Sequence, residues 1–285
     1  MYPRQFDYVA PATLDEALGA VGEGSKVMAG GMSLIPLMKT RLFSPAVVVD
    51  IGRIPDLDIV SDAGDYISLP ALVRHATTAS DSLIAEHAAA LAFAASLTGD
   101  VQVRNRGTTC GALAHSDVAA DQPAAVIALG GKMIARSASG TREIQASEFC
   151  IDALTSALEP DEILVEIQLP KTGPGEASAY DKLGRRGGRS DYAVAGAAAW
   201  VKKSNGTVEA ARVGLTGVGT KPALALAVGN AMVGTDGSEE AIKAAAEHAV
   251  DGVTVLEDLY GSVEYKTHLA KVFVARALRQ ALAAV

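Results

Sequence analysis

Two segments rich in small residues have the composition of a phosphate-binding site, and both are predicted to be loops. The first comprises Val27, Met28, Ala29, Gly30, Gly31, Met32, Ser33 and Leu34. The second lies within residues 106–117 and includes Thr108, Thr109, Cys110, Gly111 and Ala112. A diphosphate binds where adjacent backbone N–H groups are accessible, few side chains obstruct its approach and hydroxyl groups complete its shell. Two such segments in one chain indicate a ligand with a long phosphate-bearing spine.

The composition of the 285-residue chain narrows the class of protein. With 49% hydrophobic residues, the chain has enough apolar material for one large domain or two ordinary ones. The net charge of −8 argues against nucleic acid or an anionic membrane as the main partner, because both favour a basic surface. Only 5% of the residues are aromatic, whereas Ala and Gly are abundant, which indicates a tightly packed α/β or α+β protein.

The cysteines and the apolar pattern exclude some kinds of site and indicate a compartment. Cys110 and Cys150 cannot supply the four ligands of an iron–sulfur cluster, and their spacing fits no zinc motif. No stretch reaches the roughly 18 apolar residues of a membrane span, and residues 1–6 have no apolar signal core. We therefore expect a cytoplasmic protein, in which structural disulfides are rare.

In the N-terminal half, predicted strands and helices alternate. Thr13 and Glu16 form a capping-box pattern that predicts a helix starting at Leu14. Residues 26–29 predict a short strand leading into the first small-residue segment, which is followed by a helical turn interrupted at Pro36. Further strands are predicted over residues 47–51, 66–69, 132–138 and 162–169, and helices over residues 81–97 and 124–129.

The C-terminal part has a different pattern. Residues 170–175 contain two prolines and two glycines and are the best candidate for a domain boundary. Two strands then flank an Asn205-Gly206 pair, which favours a hairpin. A helix over residues 239–250 precedes a final helix, whose predicted apolar face consists of Tyr265, Leu269, Val272, Phe273, Ala277 and Ala281. We predict one domain over residues 1–175 and a second, antiparallel α+β domain over residues 176–285.

Three blocks of sequence occur in the order and at the spacing of one known family. The first joins residues 29–34 to residues 36–39 and 50–51, the second joins 103–108 to 113–117 and 119–121, and the third joins 180–182 to 185–186 and 191–193. Through these blocks, and residues 264–266, the chain resembles the FAD-binding medium subunit of the molybdenum hydroxylases, the carbon monoxide dehydrogenase and xanthine dehydrogenase family. The resemblance covers essentially the whole chain.

This resemblance implies an α+β fold, in which a two-part α/β FAD-binding domain of the PCMH type precedes a small C-terminal domain of antiparallel sheet and helices. It also implies a heterotrimer that is doubled in the assembled enzyme. A large subunit would hold molybdopterin and hydroxylate the substrate, and a small subunit would hold two [2Fe–2S] clusters. This chain would bind FAD, receive electrons from the [2Fe–2S] subunit and pass them to an external acceptor, which the sequence does not identify.

For the two small-residue segments, the resemblance implies specific roles. Residues 27–34 would wrap the FAD pyrophosphate through their N–H groups, with Ser33 adding a hydroxyl, and the alternative is an ordinary tight turn. Residues 108–112 would form the second wall, although Cys110 replaces a glycine of the family pattern and Ala112 replaces a polar residue. A Cβ and a sulfur are therefore expected where backbone usually approaches the cofactor. We interpret Cys110 as a packed or ligand-facing residue rather than a catalytic thiol.

Five further positions match family residues near the cofactor, and each has an alternative interpretation. Asp121 would accept a hydrogen bond from the cofactor or cap the following helix, and the same holds for Asp117. Lys182 would reach the flavin region, where a cation favours the anionic reduced flavin, or would be an exposed strand lysine. Leu164 would contact the flavin as well as the core. Tyr192 would cover one face of the flavin ring or simply pack.

The remaining polar residues receive a less specific interpretation. Arg185, Arg186 and Arg189, with two intervening glycines, form a basic patch that we interpret as a solvated turn, with docking of a partner or acceptor as the alternative. His115 is the histidine near the predicted site. We expect four others to be surface or satisfied helix residues, namely His75, His87, His248 and His268.

Electron transfer through FAD, without substrate chemistry of its own, is thus the predicted function. Two alternatives remain open. The first is a stand-alone flavin oxidoreductase with its own substrate pocket, which the lack of a convincing acid–base pair in the sequence disfavours. The second is an assembly subunit that has lost its flavin, which the departures at Cys110 and Ala112 favour.

Overall fold

The computed structural model describes residues 1–187 and 190–285. Its first three strands form a parallel sheet that carries the first small-residue segment. They are β1 (Asp7–Val9), β2 (Ser25–Met28) and β3 (Val47–Asp50). Strand β3 lies in the middle and pairs in parallel with both others. The first segment therefore begins at the carboxyl end of an edge strand, where it can reach out of the sheet.

Local signals place the first two helices. Helix α1 (Leu14–Ala20) begins where predicted, because Oγ1 of Thr13 accepts a hydrogen bond from the N–H of Glu16 at 3.2 Å. Helix α2 (Leu34–Thr40) directly follows the first segment. The predicted interruption at Pro36 is wrong, since this proline lies in the first helical turn, where a missing N–H removes no helical hydrogen bond.

A five-stranded antiparallel sheet forms the second part of the N-terminal region. In chain order, the strands of this region are β4 (Ser61–Asp62), β5 (Tyr66–Pro70), β6 (Lys132–Ser137), β7 (Gly140–Gln145), β8 (Cys150–Asp152), β9 (Thr155–Ser156) and β10 (Ile163–Pro170), of which β8 and β9 form a separate two-stranded ribbon. The order across the sheet is β4-β5-β10-β6-β7, and β8 pairs with β9 alone. The backbone of β10 is paired on both edges, and its apolar residues Ile163, Leu164, Ile167 and Leu169 are buried.

Short helices pack around this sheet. They are α3 (His75–Ser80), α4 (Ser82–His87), α5 (Ala89–Ser96), α6 (Val101–Arg104), α7 (Thr109–His115), α8 (Asp121–Leu129) and α9 (Ala146–Phe149). The prediction of one helix over residues 81–97 is wrong, because Asp81 caps α4 and Ala88, with φ −142°, separates α4 from α5. The second small-residue segment is likewise not a loop, since most of it forms helix α7.

The C-terminal region is an antiparallel sheet with helices, as predicted. Its elements are β11 (Glu176–Gly184), β12 (Ala193–Ser204), β13 (Thr207–Thr216), β14 (Ala223–Leu224), α10 (Leu226–Met232), α11 (Glu239–Ala246) and α12 (Val263–Ala283). The hairpin between β12 and β13 is confirmed. Asn205 and Gly206 adopt φ values of 51° and 81°, and two successive positive φ values match the right-handed twist of paired strands.

Strand β12 is buried on both faces and joins the two regions. Ala198 and Trp200 pack into the core that contains α5 and α8, whereas Ala197 and Ala199 pack into the core that contains α12. Alternate residues of a strand point to opposite faces, so a strand covered on both sides is apolar throughout. The small alanine side chains let helices approach the sheet closely. The division of the chain at residue 175 stays a prediction.

The apolar face of α12 differs from its predicted face by about one residue. Tyr265 is 43% exposed, so its assignment to the buried face is wrong. The neighbouring Lys266 is buried instead, at 3% exposure. The buried side of the helix consists of Lys266, Leu269, Ala270, Phe273, Val274, Ala277, Leu278 and Ala281. A lysine in a buried position requires partners for its ammonium group, which here are the carboxylate of Asp258 and the carbonyl of Gly217.

Candidate functional site

A cavity of about 1070 Å³ lies between the two small-residue segments. The predicted site residues that line it are Val27, Met28, Ala29, Gly30, Gly31, Met32, Ser33, Leu34, Thr108, Cys110, Gly111, Ala112, Asp117, Asp121, Leu164 and Tyr192. Thr109 and Lys182 lie outside its wall. Since ligand sites for small molecules commonly measure about 300–1,000 Å³, this cavity has room for a large cofactor.

The first segment lies directly against the chain that leads into the second. A Cβ atom at Gly30 would overlap the carbonyl oxygen of Arg106 and approach the Cα of Gly107 within 2.7 Å. Gly31 has a φ of 73°, where a side chain is strained, and a Cβ there would lie 2.8 Å from Ile35. The glycines therefore allow backbone to pack on backbone, which makes the two segments walls of one site.

The first segment presents a row of available backbone donors. Within the part of the chain that the structure describes, the N–H groups of residues 30–34 have no hydrogen-bond acceptor. The next N–H along the chain, that of Ile35, donates to the carbonyl of Gly31 at 3.0 Å. Ser33 stands at the N-cap of α2, so the positive end of the helical peptide dipoles faces the same space. Adjacent free N–H groups of this kind suit an anion.

The second segment is held by its own cap. Oγ1 of Thr108 accepts a hydrogen bond from the N–H of Gly111 at 3.1 Å, and a Cβ at Gly111 would lie 2.7 Å from that oxygen. Thr109 is completely buried, and its hydroxyl contacts the hydroxyl of Thr78 at 2.7 Å. Thr109 therefore stabilises the wall from behind. Its predicted contact with the cofactor finds no support in this geometry.

The side chain of Cys110 points into the core. Its Sγ atom contacts the carbonyl oxygen of Leu69 at 3.5 Å, and the residue is 2% exposed. Burial raises the pKa of the Cys110 thiol far above its usual range, so the thiol stays protonated and is a poor nucleophile. Cys110 and Ala112 both border the cavity, but the Cys110 sulfur is directed into the core, which favours the packed interpretation of this residue over the ligand-facing one.

Asp121 is the centre of a buried polar cluster beside the cavity. Its two carboxylate oxygens accept hydrogen bonds from the hydroxyl of Tyr180 at 2.6 Å and from Nζ of Lys182 at 2.7 Å. Burial raises the pKa of Asp121 to about 6, against the opposing effect of the Lys182 ammonium. The helix-capping alternative is wrong, because the N-cap of α8 is Ala120 and Asp121 is the first helical residue.

Lys182 lies behind Asp121 rather than at the cavity surface. Its side chain is only 2% exposed, and Nζ also donates to the carbonyl of Asp191 at 2.5 Å. The alternative of an exposed strand lysine is therefore wrong. A direct contact between this ammonium group and a ligand in the cavity would require Lys182 to leave its partners. Its ammonium group is paired with Asp121, which does line the cavity.

Three other predicted residues stand where the cavity can use them. Oδ1 of Asp117 accepts a hydrogen bond from the N–H of Ala119 at 2.9 Å, which orients its carboxylate at the cavity wall. Leu164 borders the cavity and also belongs to the core, so its two interpretations are compatible. Tyr192 lines the cavity and is 47% exposed. Their contact with a cofactor stays a prediction.

Sequence reasoning missed a second polar cluster in the cavity wall. His75 is buried, and its Nδ1 accepts a hydrogen bond from Nε2 of Gln122 at 2.8 Å. The same Nε2 donates to Oγ1 of Thr98 at 3.0 Å, whereas Oε1 of Gln122 has no partner among the described residues. Burial lowers the pKa of His75 to about 4, so its ring is neutral at physiological pH. In the sequence, the one signal of this cluster was Gln122, a polar residue beside an apolar run.

The basic patch contains residues with specific contacts. Arg186 donates to the carboxylate of Asp191 through its backbone N–H and its Nε, both at 2.9 Å. The Cζ atom of Arg185 lies 5.3 Å from the centroid of the Tyr192 ring. The solvated-turn interpretation therefore fits Arg186, whose side chain is 85% exposed, but not Arg185, whose Nε is buried. The predicted contributions of Arg189 and of Gly188 lie outside the described residues.

Across residues 1–187 and 190–285, His, Cys, Asp and Glu side chains form no group of three or more that could ligate a metal ion. Over the same residues, none of the helices combines the length and hydropathy that crossing a membrane requires.

Comparison with known proteins identifies the family. The FAD binding domain of molybdopterin dehydrogenases matches residues 4–172, and the C-terminal domain of CO dehydrogenase flavoproteins matches residues 178–281. The carbon monoxide dehydrogenase medium chain of Hydrogenophaga pseudoflava is 36% identical over 286 residues, with 99% of both chains covered. The 6-hydroxypseudooxynicotine dehydrogenase complex subunit alpha of Paenarthrobacter nicotinovorans is 34% identical, with 99% of this chain and 96% of that chain covered.

The solved structures agree with the sequence matches. A structure of carbon monoxide dehydrogenase from Hydrogenophaga pseudoflava, which lacks the Mo-pyranopterin moiety of the molybdenum cofactor, aligns with a TM-score of 0.94 and 38% identity over 99% of both chains. The predicted resemblance and the predicted fold class are both confirmed. The chain therefore belongs to the FAD-binding medium subunits of the molybdopterin dehydrogenases, which are parts of multi-subunit oxidoreductases.

Proposed function

We propose that this chain binds FAD in the cavity and transfers electrons from a partner subunit to an external acceptor. The observation that carries the proposal is the row of available N–H groups over residues 30–34, enclosed by the contact of Gly30 with Arg106 and Gly107. A dinucleotide has a pyrophosphate that such a row can bind. The substrate chemistry of the assembled enzyme would take place on another subunit.

The residues present fit the cofactor on three counts. The cavity has a suitable volume, and the N–H groups of residues 30–34 lack acceptors among the described residues. Cβ atoms at Gly30 or Gly31 would clash with neighbouring atoms, so glycine is what allows the backbone to lie this close to them. FAD, when bound, supplies the capacity to accept and release electrons singly or in pairs. Oε1 of Gln122, which has no partner within residues 1–187 and 190–285, is an acceptor that the cavity wall can offer to a hydroxyl or N–H group.

Each part of the wall contributes a different function. The first segment binds and orients the pyrophosphate, with the Ser33 hydroxyl as a further donor. The carboxylates of Asp117 and Asp121 accept hydrogen bonds from the cofactor. Each carboxylate still has free acceptor positions, because a carboxylate can accept more hydrogen bonds than these two receive from the protein. Lys182 holds the charge of Asp121 in place, and the Tyr192 ring limits the access of water to the cavity.

We further propose the assembly in which this function operates. The relatives are named as a medium chain and as a subunit of a dehydrogenase complex. By analogy, a large subunit holds molybdopterin, a small subunit holds two [2Fe–2S] clusters, and two such heterotrimers associate. Expression in the cytoplasm is the corresponding expectation from the sequence. The identity of the electron acceptor and that of the substrate depend on surfaces and subunits other than this cavity.

The two alternatives make different predictions. A stand-alone flavin oxidoreductase would turn over a substrate without partner subunits. The flavin-free assembly subunit loses part of its support, because the sulfur of Cys110 points to Leu69 and leaves the cavity free. Both departures from the family pattern, Cys110 and Ala112, still border the cavity.

An absorption spectrum of the complex, co-expressed with the products of neighbouring genes, tests the proposal. We expect the two visible bands of oxidised flavin, release of FAD by acid and bleaching by substrate only when the partner subunits are present. Gly30→Ala should abolish FAD binding because its Cβ overlaps Arg106, whereas Gly19→Ala, whose Cβ would have nothing within 4 Å, serves as the matched control. A colourless wild-type complex would overturn the proposal.

A further inference from the structure

Arg185 lies between two tyrosine rings, one of which lines the cavity. Its Cζ atom is 5.3 Å from the centroid of the Tyr192 ring and 4.6 Å from the centroid of the Tyr260 ring. A guanidinium within about 6 Å of a ring centroid is attracted to the ring face. Tyr192 lines the cavity, whereas Tyr260 lies between α11 and α12. Arg185 thus connects the cavity wall to a distant part of the chain.

The rings, more than hydrogen bonds, hold the Arg185 side chain. Its Nε atom is buried and has no hydrogen-bond acceptor among the described residues. Its backbone N–H donates to the carbonyl of Tyr192 at 3.0 Å, which fixes the start of β12 relative to the end of β11. Because this nitrogen has no acceptor among the described residues, the partners of the Arg185 charge are the two aromatic faces and the nearby carboxylate of Asp258.

Tyr260 is itself anchored to the last helix. Its N–H donates to Oδ1 of Asp258 at 2.8 Å, and Nζ of Lys266 donates to Oδ2 of the same aspartate at 2.7 Å. The Lys266 ammonium also donates to the carbonyl of Gly217 at 3.1 Å, and its side chain is only 4% exposed. The Tyr260 ring therefore rests on a fixed base rather than on a free loop.

We propose that Arg185 and Tyr260 are positioning residues that hold the Tyr192 ring across the cavity opening and so set the access of solvent and of the acceptor to the cofactor. We call the side chains of Tyr192, Arg185 and Tyr260 the Tyr-Arg-Tyr clamp. This inference rests on the proposed function, because Tyr192 controls access to FAD only if FAD occupies the cavity. It assigns a role to two residues of the C-terminal region, one of which, Tyr260, had no predicted function.

Paired substitutions in the assembled complex test the clamp. Tyr260→Leu removes an aromatic ring and Arg185→Gln removes the positive charge. Tyr260→Phe retains the ring, and Arg185→Lys retains the charge. Arg276→Gln is the matched control, because Arg276 stacks on Phe273 at 5.1 Å and lies outside the cavity wall. Two readouts are collisional quenching of the flavin fluorescence by iodide and the rate at which ferricyanide reoxidises the dithionite-reduced complex.

The clamp predicts that Tyr260→Leu and Arg185→Gln raise the iodide quenching constant and the reoxidation rate by about two- to fivefold, the range that one cation–π contact gives. The FAD content should stay at the wild-type level. Tyr260→Phe, Arg185→Lys and Arg276→Gln should each match the wild type. Rescue by the conservative variants separates positioning through the ring and the charge from a general structural effect.

The outcomes separate this inference from the proposed function. A wild-type complex without FAD overturns the proposed function, and the clamp with it. A wild-type complex with FAD, together with unchanged quenching and reoxidation in both Tyr260→Leu and Arg185→Gln, overturns the clamp alone. If Tyr260→Leu fails to assemble, Arg185→Gln decides by the same two readouts, because it leaves the Tyr260 ring and its anchoring hydrogen bonds in place.

Discussion

Two buried lysines of the C-terminal region bind aspartates in different surroundings. Lys182 on β11 donates to Asp121 at 2.7 Å, and Lys266 on α12 donates to Asp258 at 2.7 Å. Both lysine side chains are almost inaccessible to solvent. The carboxylates differ, because the side chain of Asp121 is 5% exposed and that of Asp258 is 39% exposed.

This difference in exposure gives the two carboxylates opposite pKa shifts. For Asp121, burial raises the pKa to about 6, and the attraction of Lys182 offsets only part of the effect. For Asp258, burial also acts to raise the pKa, but the hydrogen bonds from Lys266 and from the N–H of Tyr260 outweigh it and lower the pKa. A lysine partner thus keeps a carboxylate ionised more effectively where water still contributes.

The largest effect is expected for Lys182→Met. The substitution leaves Asp121 buried without its cation, which should lower the free energy of unfolding by about 3–5 kcal/mol. Urea denaturation of the full chain measures the change, with an unchanged slope as the sign that only stability is affected. A loss of stability no larger than the loss caused by Lys266→Met would contradict the difference that we infer between the two lysine–aspartate pairs.

The double variant Asp121→Asn with Lys182→Met should recover about 2 kcal/mol of that loss. The neutral amide has nearly the same size, keeps an oxygen for the Tyr180 hydroxyl and needs no cation. Urea denaturation of both single variants and of the double variant gives the coupling energy. Simple additivity of the two single changes would show that the ion pair is energetically unimportant.

A smaller loss of about 1–2 kcal/mol is expected for Lys266→Met, because water can replace the lost partner of Asp258. The carbonyl of Gly217 loses its hydrogen bond as well. The same substitution should raise iodide quenching of the flavin, since Asp258 anchors the Tyr-Arg-Tyr clamp. The corresponding quenching for Arg276→Gln provides the reference level.

The pH dependence of stability should show two effects of opposite sign. The pKa of Asp121 is higher in the folded state than the ordinary 3.8, so its contribution to stability is complete below pH 3.8 and is lost as the pH rises through about 6. The pKa of Asp258 is lowered, so its contribution is present above pH 3.8 and is lost as the pH falls. Stability measured against pH for Asp121→Asn and Asp258→Asn, relative to wild type, should show these two slopes. Slopes of the same sign would contradict the assigned shifts.

Elements that depend on neighbouring residues were predictable from the sequence. The cap at Thr13 and the turn at Asn205 and Gly206 occur where predicted, because hydrogen bonds and φ preferences act over a few residues. The helix break at Ala88 was missed, since its alanine-rich surroundings favour continuous helix and only packing decides otherwise.

The residues of the candidate site follow the same division. The small residues from Val27 to Leu34 do line the cavity, because their types already limit what the backbone can approach. The positions of Lys182 and Gln122 were not predictable, since each depends on partners from other helices. The sequence left open whether Cys110 packs or faces the ligand, because one residue of helical rotation decides whether a side chain meets the ligand or the core.

The sequence by itself determined the family, the two small-residue segments and the local turns, because these depend on residue type and on short spacings. Tertiary structure alone decided which distant groups meet. It brought Gly30 against Arg106 and Gly107, placed Lys182 beside Asp121 and set Arg185 between two tyrosines. These contacts fix the burial of each charge, and burial rather than residue type sets its pKa and its energetic contribution.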